Sequence, residues 1–458
     1  MKHLFSLVLL TVSLSLFSQS TPYVNSRGCV VCDMLSVADT FSLNGATYTV
    51  VDRPLLNTMR NNYSDLSKVC VSLVSDMANV FRHNSSFNQD IGNWDVSNVT
   101  NMDRMFAGAR SFNQDIGLWD VSNVTDMSGM FDDAVSFNQD IGNWDVSNVT
   151  EMEYMFSHAY SFNHDIGAWD VSNVTEMEHL FSHAYSFNQD IGAWDVSNLT
   201  EMEHLFSHAY SFNQDIGAWD VSNVTEMEYL FSHAKSFNQD IGAWDVSNVM
   251  KMEYLFSHAD SFNQDIGAWD VSNVTDMSAM FLSAQVFNQD IGNWDVSNVI
   301  NMEFMFRSAS DFNQDIGNWD VSNVSDMKLM FFGSTSFNQD LTNWCVINIP
   351  SQPSGFSLNS ALTLSHHPIW GTCPNISVSE NEIDFELNTF PNPVQDILYV
   401  QTPKSSSLML VDMNGKTIRQ LTTERVETSI DMSSYAQGVY MLQIQTGEAV
   451  ETRRIVRK

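Results

Sequence analysis

The chain has 458 residues, 43% hydrophobic and 16% charged, which is typical of a folded protein with room for about two or three domains. Its 55 acidic residues outnumber the 20 basic ones and give a formal net charge of -35 at pH 7. This charge argues against binding to nucleic acid or to an anionic membrane surface.

Residues 1–20 have the pattern of a secretory signal peptide. Lys2 precedes the apolar run LFSLVLLTVSLSLF, and the small residues Ser18 and Ser20 stand before the expected cleavage point. No other stretch reaches the roughly 18 apolar residues that a membrane-spanning helix needs. We therefore expect export of the mature chain and no membrane-spanning segment.

Residues 21–69 are interpreted as an N-terminal cap. Alternating residues around Asn44 and Gly45 predict a hairpin, and a helix is expected to follow it. Solenoid proteins need such a terminal unit because the first repeat would otherwise expose its core.

Residues 70–345 are predicted to form a solenoid. Tryptophan recurs eleven times from Trp94 to Trp344 with a constant period of 25 residues and no insertion, and residues 176–198 recur letter for letter at 201–223. A fixed period of this length indicates units that bury their apolar faces only by stacking on their neighbours.

Each unit is predicted to contain a short strand followed by a helix of about two turns. The apolar positions expected in the strand are Ile141, Trp144, Val146 and Val149. The apolar residues that follow, Met152, Met155, Phe156 and Ala159, are spaced so that they would lie on one face of a helix. Thr150 and Glu153 have the spacing of a capping box and are expected to start the helix. Gly167 is expected to relieve a tight bend.

The repeat resembles the leucine-rich-like repeats of BspA-like bacterial surface proteins, in the 25-residue variety with the pattern MxxMFxxAxxFNQDIxxWDVSNVT. The resemblance covers about residues 70–345. It implies a secreted or cell-surface protein used for adhesion or other interactions. The predicted fold is thus an α/β solenoid, leucine-rich-repeat-like, with short parallel strands and short helices in about eleven coils.

The cysteines mark the two ends of the array. Cys70 stands one period before, and Cys345 one period after, an unbroken series of aspartates from Asp95 to Asp320. At about 4.8 Å per coil, Cys70 and Cys345 are on the order of 50 Å apart and cannot bond to each other. We predict a Cys345–Cys373 disulfide that fastens a C-terminal cap, residues 346–373, over the last coil.

The partner of Cys70 is left open by the sequence. Cys29 and Cys32 are both candidates, and either choice leaves one thiol free. The CVVC stretch could instead be a redox or metal motif, but a zinc site requires a second ligand pair that the sequence does not offer.

Histidines recur at one slot of five successive units, at His158, His183, His208, His233 and His258. His179 and His204 lie four residues before His183 and His208, and on a helix the two histidines of each pair could bind one metal ion. Other units place Gly, Asp or Ser in the slot, so duplication of one block accounts for the series. We predict a solvated helix face, with metal binding as the alternative.

Aspartates persist at two slots throughout the array. Hydrogen bonds to backbone amides in turns are the simpler explanation. Calcium between coils is the alternative, because the available ligands are oxygens. The calcium candidates are Asp190, Asp195, Asp215 and Asp220. The sequence contains no nucleophile elbow, phosphate-binding loop or zinc motif, so we expect neither catalysis nor a cofactor.

Residues 374–388 form an acidic linker, and residues 389–458 predict a small all-β sandwich with a turn at Asn414–Gly415. This tail resembles the C-terminal sorting domain of the type IX secretion system. The matching positions are Pro391, Asn392, Pro393, Asp412, Gly415, Gly438, Tyr440 and Lys458. The resemblance implies export across both membranes of a Gram-negative bacterium, contact with that machinery and removal of the tail. The body is then released or attached to surface lipopolysaccharide.

The predicted function is that of an adhesin or interaction scaffold with a protein or glycan ligand and no catalysis. The alternative is a structural component of the cell surface or biofilm matrix, stiffened by calcium.

Overall fold

The computed structural model describes residues 21–374, 388–402, 406–423, 427–446 and 449–458. The chain divides into two compact units between Pro374 and Asn375. The predicted signal peptide and most of the predicted linker lie outside the described residues. No helix within the described ranges has the length and hydropathy required to cross a bilayer.

The N-terminal part of the first unit contains five strands and a helix. They are β1 (Tyr23–Val24), β2 (Val30–Val31), β3 (Thr40–Leu43), β4 (Ala46–Val50), α1 (Arg53–Asn61) and β5 (Val69–Cys70). The predicted hairpin is formed by β3 and β4, with Asn44 and Gly45 in the left-handed region at φ 52° and 82°. The side chain of Asp52 caps α1 by accepting a hydrogen bond from the Leu55 N–H. β5 then pairs in parallel with β4.

The repeats that follow are coils stacked in parallel. Isolated parallel bridges join equivalent residues of successive coils, as between Glu151 and Glu176. Alternate backbone N–H groups of a coil donate to carbonyls of the next coil, such as His158 to Ser182 over 2.8 Å. The N–H groups between them close tight turns within the coil. The stacking therefore uses backbone groups that a helix would bond internally.

The prediction of an α/β solenoid with a strand and a helix in every coil is wrong. In the described part of the chain α1 is the only α-helix, and the coils contain turns and single bridges. Tyr154 and His158 have φ of 57° and 55°, which a right-handed helix excludes. Thr150 is not a helix cap, because its N–H and its hydroxyl both donate to the Thr125 carbonyl of the preceding coil.

The apolar slots of all coils form one continuous buried core. Trp169 is 4% exposed, and Phe156 and Met155 are fully buried. Each of the eleven repeat tryptophans also donates from Nε1 to a carbonyl of the preceding segment, as Trp219 does to Ile191 over 3.1 Å. The indole thus fills the core and satisfies a buried carbonyl at once.

The coil stack is curved. Because the coils are near copies, the distance between equivalent rings measures the local spacing of the coils. That spacing is 6.5 Å for Trp169–Trp194, 5.8 Å for Phe156–Phe181 and 4.2 Å for His179–His204. The tryptophans therefore lie on the outer side of the curve and the histidines on its inner side.

Asparagine side chains tie neighbouring coils together at the turns. Asn188 Oδ1 accepts from the Asn213 N–H at 2.9 Å, and Asn223 Nδ2 donates to the Ser197 carbonyl at 2.8 Å. The same bonds recur along the array.

Two disulfides lie at the ends of the array. The structure joins Cys345 to Cys373 and Cys70 to Cys32. Cys29 is buried and unpaired, and burial, reinforced by the Asp95 carboxylate, raises the pKa of its thiol to about 11. The two cysteines of CVVC are therefore not bonded to each other.

The second unit is the small β-sandwich that the sequence predicts. Its strands are β6 (Asn388–Phe390), β7 (Ile397–Gln401), β8 (Ser406–Asp412), β9 (Thr417–Thr423), β10 (Glu427–Asp431), β11 (Gly438–Thr446) and β12 (Ala449–Arg457). One sheet has the order β10-β7-β6 and the other β12-β11-β8-β9. Leu398, Leu408 and Ile455 belong to its buried core.

The predicted sorting residues hold the ends of this unit together. Asn392, between Pro391 and Pro393, donates to the Arg454 carbonyl and accepts from the Val456 N–H, which ties it to β12. The Tyr440 hydroxyl donates to the Ala436 carbonyl. The remaining positions lie in the β8–β9 turn (Asp412, Gly415), at the start of β11 (Gly438) and after β12 (Lys458).

Candidate binding groove

An open groove of about 460 Å³ lies on the inner side of the coil stack. We call it the inner groove. Two columns of side chains line it. The first column is Tyr154, His179, His204, Tyr229 and Tyr254, and the second is His158, His183, His208, His233 and His258.

Both columns come from backbone positions in the left-handed region. His204 and His208 have φ of 56° and 59°, and the other members are similar. Neighbouring coils place glycine at these slots, as at Gly108 and Gly129. A non-glycine residue costs about 1–2 kcal/mol in this conformation. Most coils bear this cost, as at Arg104, Asp133 and Leu329, and the central coils place rings at the two slots along the floor of the groove.

The rings of successive coils are in contact. His179 and His204 stack at 4.2 Å with an interplanar angle of 11°, and Tyr154 stacks on His179 at 4.4 Å. In the second column His158 meets His183 edge-on at 82°. The prediction of a solvated helix face is therefore wrong, since these histidines are partly buried and stacked.

Burial determines the charge of the histidines. It lowers the pKa of His179 and His183 to about 4, with a further contribution from neighbouring imidazoles. For His208 burial and the adjacent His233 lower the pKa to about 3. These three imidazoles are therefore neutral at pH 7. Within the described ranges, the histidines do not form a group of three close metal-ligand atoms.

Glutamates flank the first ring column. Burial, then the charges of Glu153 and Glu178, raises the pKa of Tyr154, which places these carboxylates beside its ring. Burial raises the pKa of Glu178 and of Glu253 to about 7. Carboxylate oxygens of Glu203, Glu226 and Glu228 lie within 4.8 Å of one another. Burial and a hydrogen bond with Glu226 raise the pKa of Glu203.

Two family models match the chain. Residues 53–168, 160–269 and 250–365 each match the model described as "Mycoplasma protein of unknown function, DUF285", and together they cover more than half of the chain. The chain belongs to the DUF285 family. Residues 388–458 match the secretion system C-terminal sorting domain. No curated protein matches the chain.

The sorting domain supports secretion or cell-surface display of the DUF285 array through the type IX machinery. This agrees with the tail's predicted role and with the disulfides at the ends of the array, since disulfides persist outside the cytosol.

The aspartates proposed for calcium hold turns on the outer side of the DUF285 array. Asp190 accepts from the Gly192 N–H at 3.0 Å, and Asp195 accepts from the N–H and hydroxyl of Ser197. Asp215 and Asp220 make the equivalent bonds one coil later. These are the hydrogen bonds to backbone amides in turns that the sequence favours as the simpler explanation of the aspartates. Calcium binding at the four aspartates stays a prediction.

The ionisable groups of the groove predict a pH optimum for the stability of the DUF285 array. Half-buried Glu178 keeps its proton to about pH 7, whereas the unfolded chain releases it near pH 4.5, so the free energy of unfolding falls as pH rises through this window. Half-buried His183 titrates near pH 4 instead of 6.5, so the free energy of unfolding falls as pH drops through that range. The two slopes oppose each other between about pH 4.5 and 6.5, where stability should be greatest.

Glu178→Gln is expected to remove the glutamate's part of this dependence. Because glutamine does not ionise, the variant should be more stable than the wild type at pH 8 and similar to it at pH 4.5. Urea unfolding at the two pH values measures this difference. Glu201→Gln, at an exposed position of the next coil, is the control. Equal gains at pH 8 for both variants would attribute the effect to the net charge of the chain.

Proposed function

We propose that this DUF285 protein is a non-catalytic adhesin or interaction scaffold that binds a protein or glycan ligand in the inner groove after export to the cell surface. The observation that carries the proposal is the pair of ring columns along one open face. Rings at fixed spacings of 4.1–4.5 Å offer a large contact area with little conformational freedom to lose.

The positions of the rings add to this support. The coil-to-coil bonds come from the backbone and from side chains at other slots, such as Asn223 and Trp219, and the core slots are filled by Met, Leu, Ile, Ala, Phe, Trp and Val. The rings of the inner groove are needed for neither purpose, and coils outside the centre place Gly108 or Ser308 at the same slot. The resemblance of the repeat to BspA-like surface proteins supports adhesion in particular.

A catalytic role is not proposed, because the groove repeats one environment five times. Active sites bring together groups whose surroundings push their pKa values in different directions around one reacting centre. Here each coil presents the same glutamate, ring and histidine as its neighbour.

A structural role in the cell surface or biofilm matrix is the second candidate. It is favoured by the unbroken array, whose two ends are each closed by a disulfide. A calcium-stiffened component would melt at a lower temperature after chelation and would bind no ligand.

Binding of the full chain to immobilised glycans, matrix proteins and cells tests the proposal. His204→Asn combined with Tyr229→Asn removes two stacked rings and retains a residue that tolerates positive φ. At about 0.5–1.5 kcal/mol per ring, we expect binding to weaken by about tenfold. Ala193→Ser with Ala218→Ser, exposed on the outer side, should bind as the wild type does. Absence of binding to any surface would exclude the adhesin.

A further inference from the structure

We propose that the second column of the inner groove binds divalent ions of the zinc, nickel and copper class through pairs of histidines from neighbouring coils. This inference goes beyond the proposed function, because it does not depend on a protein or glycan ligand. It combines the spacing of the imidazoles, the ring nitrogen that each of them leaves open, and the buried serines that hold the rings.

The spacing of the column suits an ion held by two imidazoles. Neighbouring ring centres are 4.1–4.4 Å apart. Two nitrogens bound to one zinc ion by bonds of about 2.0–2.1 Å are roughly 3.3 Å from each other. The angle between neighbouring rings ranges from 8° to 86° along the column, so the slot accommodates rings in more than one orientation. A turn of the rings about their side-chain bonds can therefore bring two nitrogens to one ion.

The column is linear, so it offers pairs of ligands and not triads. His158 and His208 lie on opposite sides of His183, which explains why no three histidines meet at one point in the described chain. Imidazole nitrogen is a ligand for zinc, nickel and copper, whereas calcium takes oxygen ligands. Two imidazoles are enough for a site here, because the open groove leaves the remaining positions of the ion to water or to a group of a partner.

The column turns one ring nitrogen, Nε2, towards the groove. In His158, His208 and His258 the other nitrogen, Nδ1, lies 2.9–3.1 Å from the hydroxyl of the preceding serine. In His183, Nδ1 is buried without a partner. In the described part of the chain, Nε2 of these four histidines is neither hydrogen-bonded nor buried. Because all four histidines line the groove, their Nε2 atoms are accessible from it.

Buried serines hold three of these rings from behind. Ser157, Ser207 and Ser257 are 2–3% exposed. When Nδ1–H donates to the serine oxygen, the lone pair of the imidazole is on Nε2, the atom that is open to the groove. Histidines that bind metals usually have such a partner on their second nitrogen, because it fixes the tautomer and the orientation of the ring. The serines therefore give the column a feature that metal binding uses and that stacking of the rings does not require.

The charges around the column are compatible with a bound cation. The sequence has no lysine or arginine between Arg110 and Lys235. Lys235 and Asp260 bring opposite charges to the C-terminal end of the column. His183 and His208 are neutral at pH 7, the form in which an imidazole binds a metal ion.

The test measures binding of Zn²⁺ to the full, chelator-treated chain by calorimetric titration, with Ca²⁺ as the comparison ion. His183→Asn combined with His233→Asn leaves three histidines, none of which has a neighbour in the column. Asparagine tolerates positive φ and so preserves the backbone. We expect affinity for Zn²⁺ to fall by at least about tenfold, since even the groups that only orient a metal ligand contribute that much.

A matched variant removes the same number of histidines from the ends of the column. His158→Asn combined with His258→Asn leaves His183, His208 and His233 adjacent, so this variant should bind Zn²⁺ with near-wild-type affinity. Equal midpoints of urea unfolding for the two variants would show that both are folded and that adjacency alone separates them.

The outcomes separate this inference from the proposed function. Equal weakening by the two variants would overturn the inference, because zinc would then respond to the number of histidines and not to their adjacency. Wild-type affinity of the first variant, absence of zinc binding, or equally tight binding of Ca²⁺ would also overturn it. Zinc binding that requires adjacent histidines, in a chain that adheres to no surface, would support the inference and exclude the adhesin.

Discussion

Gly192→Ala is expected to lower the free energy of unfolding of the repeat array by about 2–3 kcal/mol. An alanine Cβ at this position would lie 2.4 Å from the carbonyl oxygen of Asp215 in the next coil. Both atoms belong to backbone held by bonds between coils, so the coils must separate to relieve the clash. The midpoint of urea unfolding measures the loss.

Ala193→Ser is the matched control for this change. Ala193 is the next residue and is exposed, so the extra hydroxyl meets no neighbouring coil. Wild-type stability of Gly192→Ala would show that the coils are not as close as the structure places them. Gly192 does not have a positive φ, so close approach of the next coil, and not a tight bend, accounts for glycine at this slot.

Removal of residues 388–458 is expected to abolish cell-surface display in a bacterium that has the type IX system. These residues match the sorting domain and form the separate β-sandwich unit. Without them the chain should accumulate in the periplasm. Fractionation, together with protease treatment of intact cells, measures the two pools.

A point variant tests whether the folded sorting unit is what the machinery requires. Asn392→Ala removes both hydrogen bonds that join the Pro391–Pro393 segment to β12, and surface display should decrease. Met413→Ala, at an exposed turn position, should be displayed normally. Normal display of the truncated chain would contradict a sorting role for the tail.

The repeat period and the apolar slots were sufficient to predict stacking and the core. Trp144, Phe156 and Met152 were expected to be buried from their recurrence, and all three are. Recurrence predicts burial because an apolar slot repeated in every stacked unit must meet its own copy in the next. The sorting unit was equally accessible to prediction, since its alternating strands and turn residues specify a small sandwich locally.

The helix was mispredicted because two conformations give the same apolar spacing. Met152, Met155, Phe156 and Ala159 face one side of a helix, but they also face one side of a chain of turns with a left-handed residue at every fourth position. Bonds to neighbouring coils decide between the two, and a single unit read alone does not contain them.

The inner groove was missed for the same reason. A predicted helix places the histidines on a solvated face, and the Gly, Asp or Ser of other units at that slot then indicates duplication of one block and not a binding surface. Gly108, Gly129 and Gly333 at these slots were the available signal, because glycine recurring with other residues at one position indicates positive φ.

The constant 25-residue period has a consequence for the evolution of this protein. Each coil offers the next a surface equivalent to the one it receives, so loss or gain of one whole unit by recombination joins two surfaces that already fit. The identical stretches at 176–198 and 201–223 are what a recent event of this kind leaves in the amino-acid sequence. The length of the binding surface can therefore change in single steps while each remaining contact between coils is preserved.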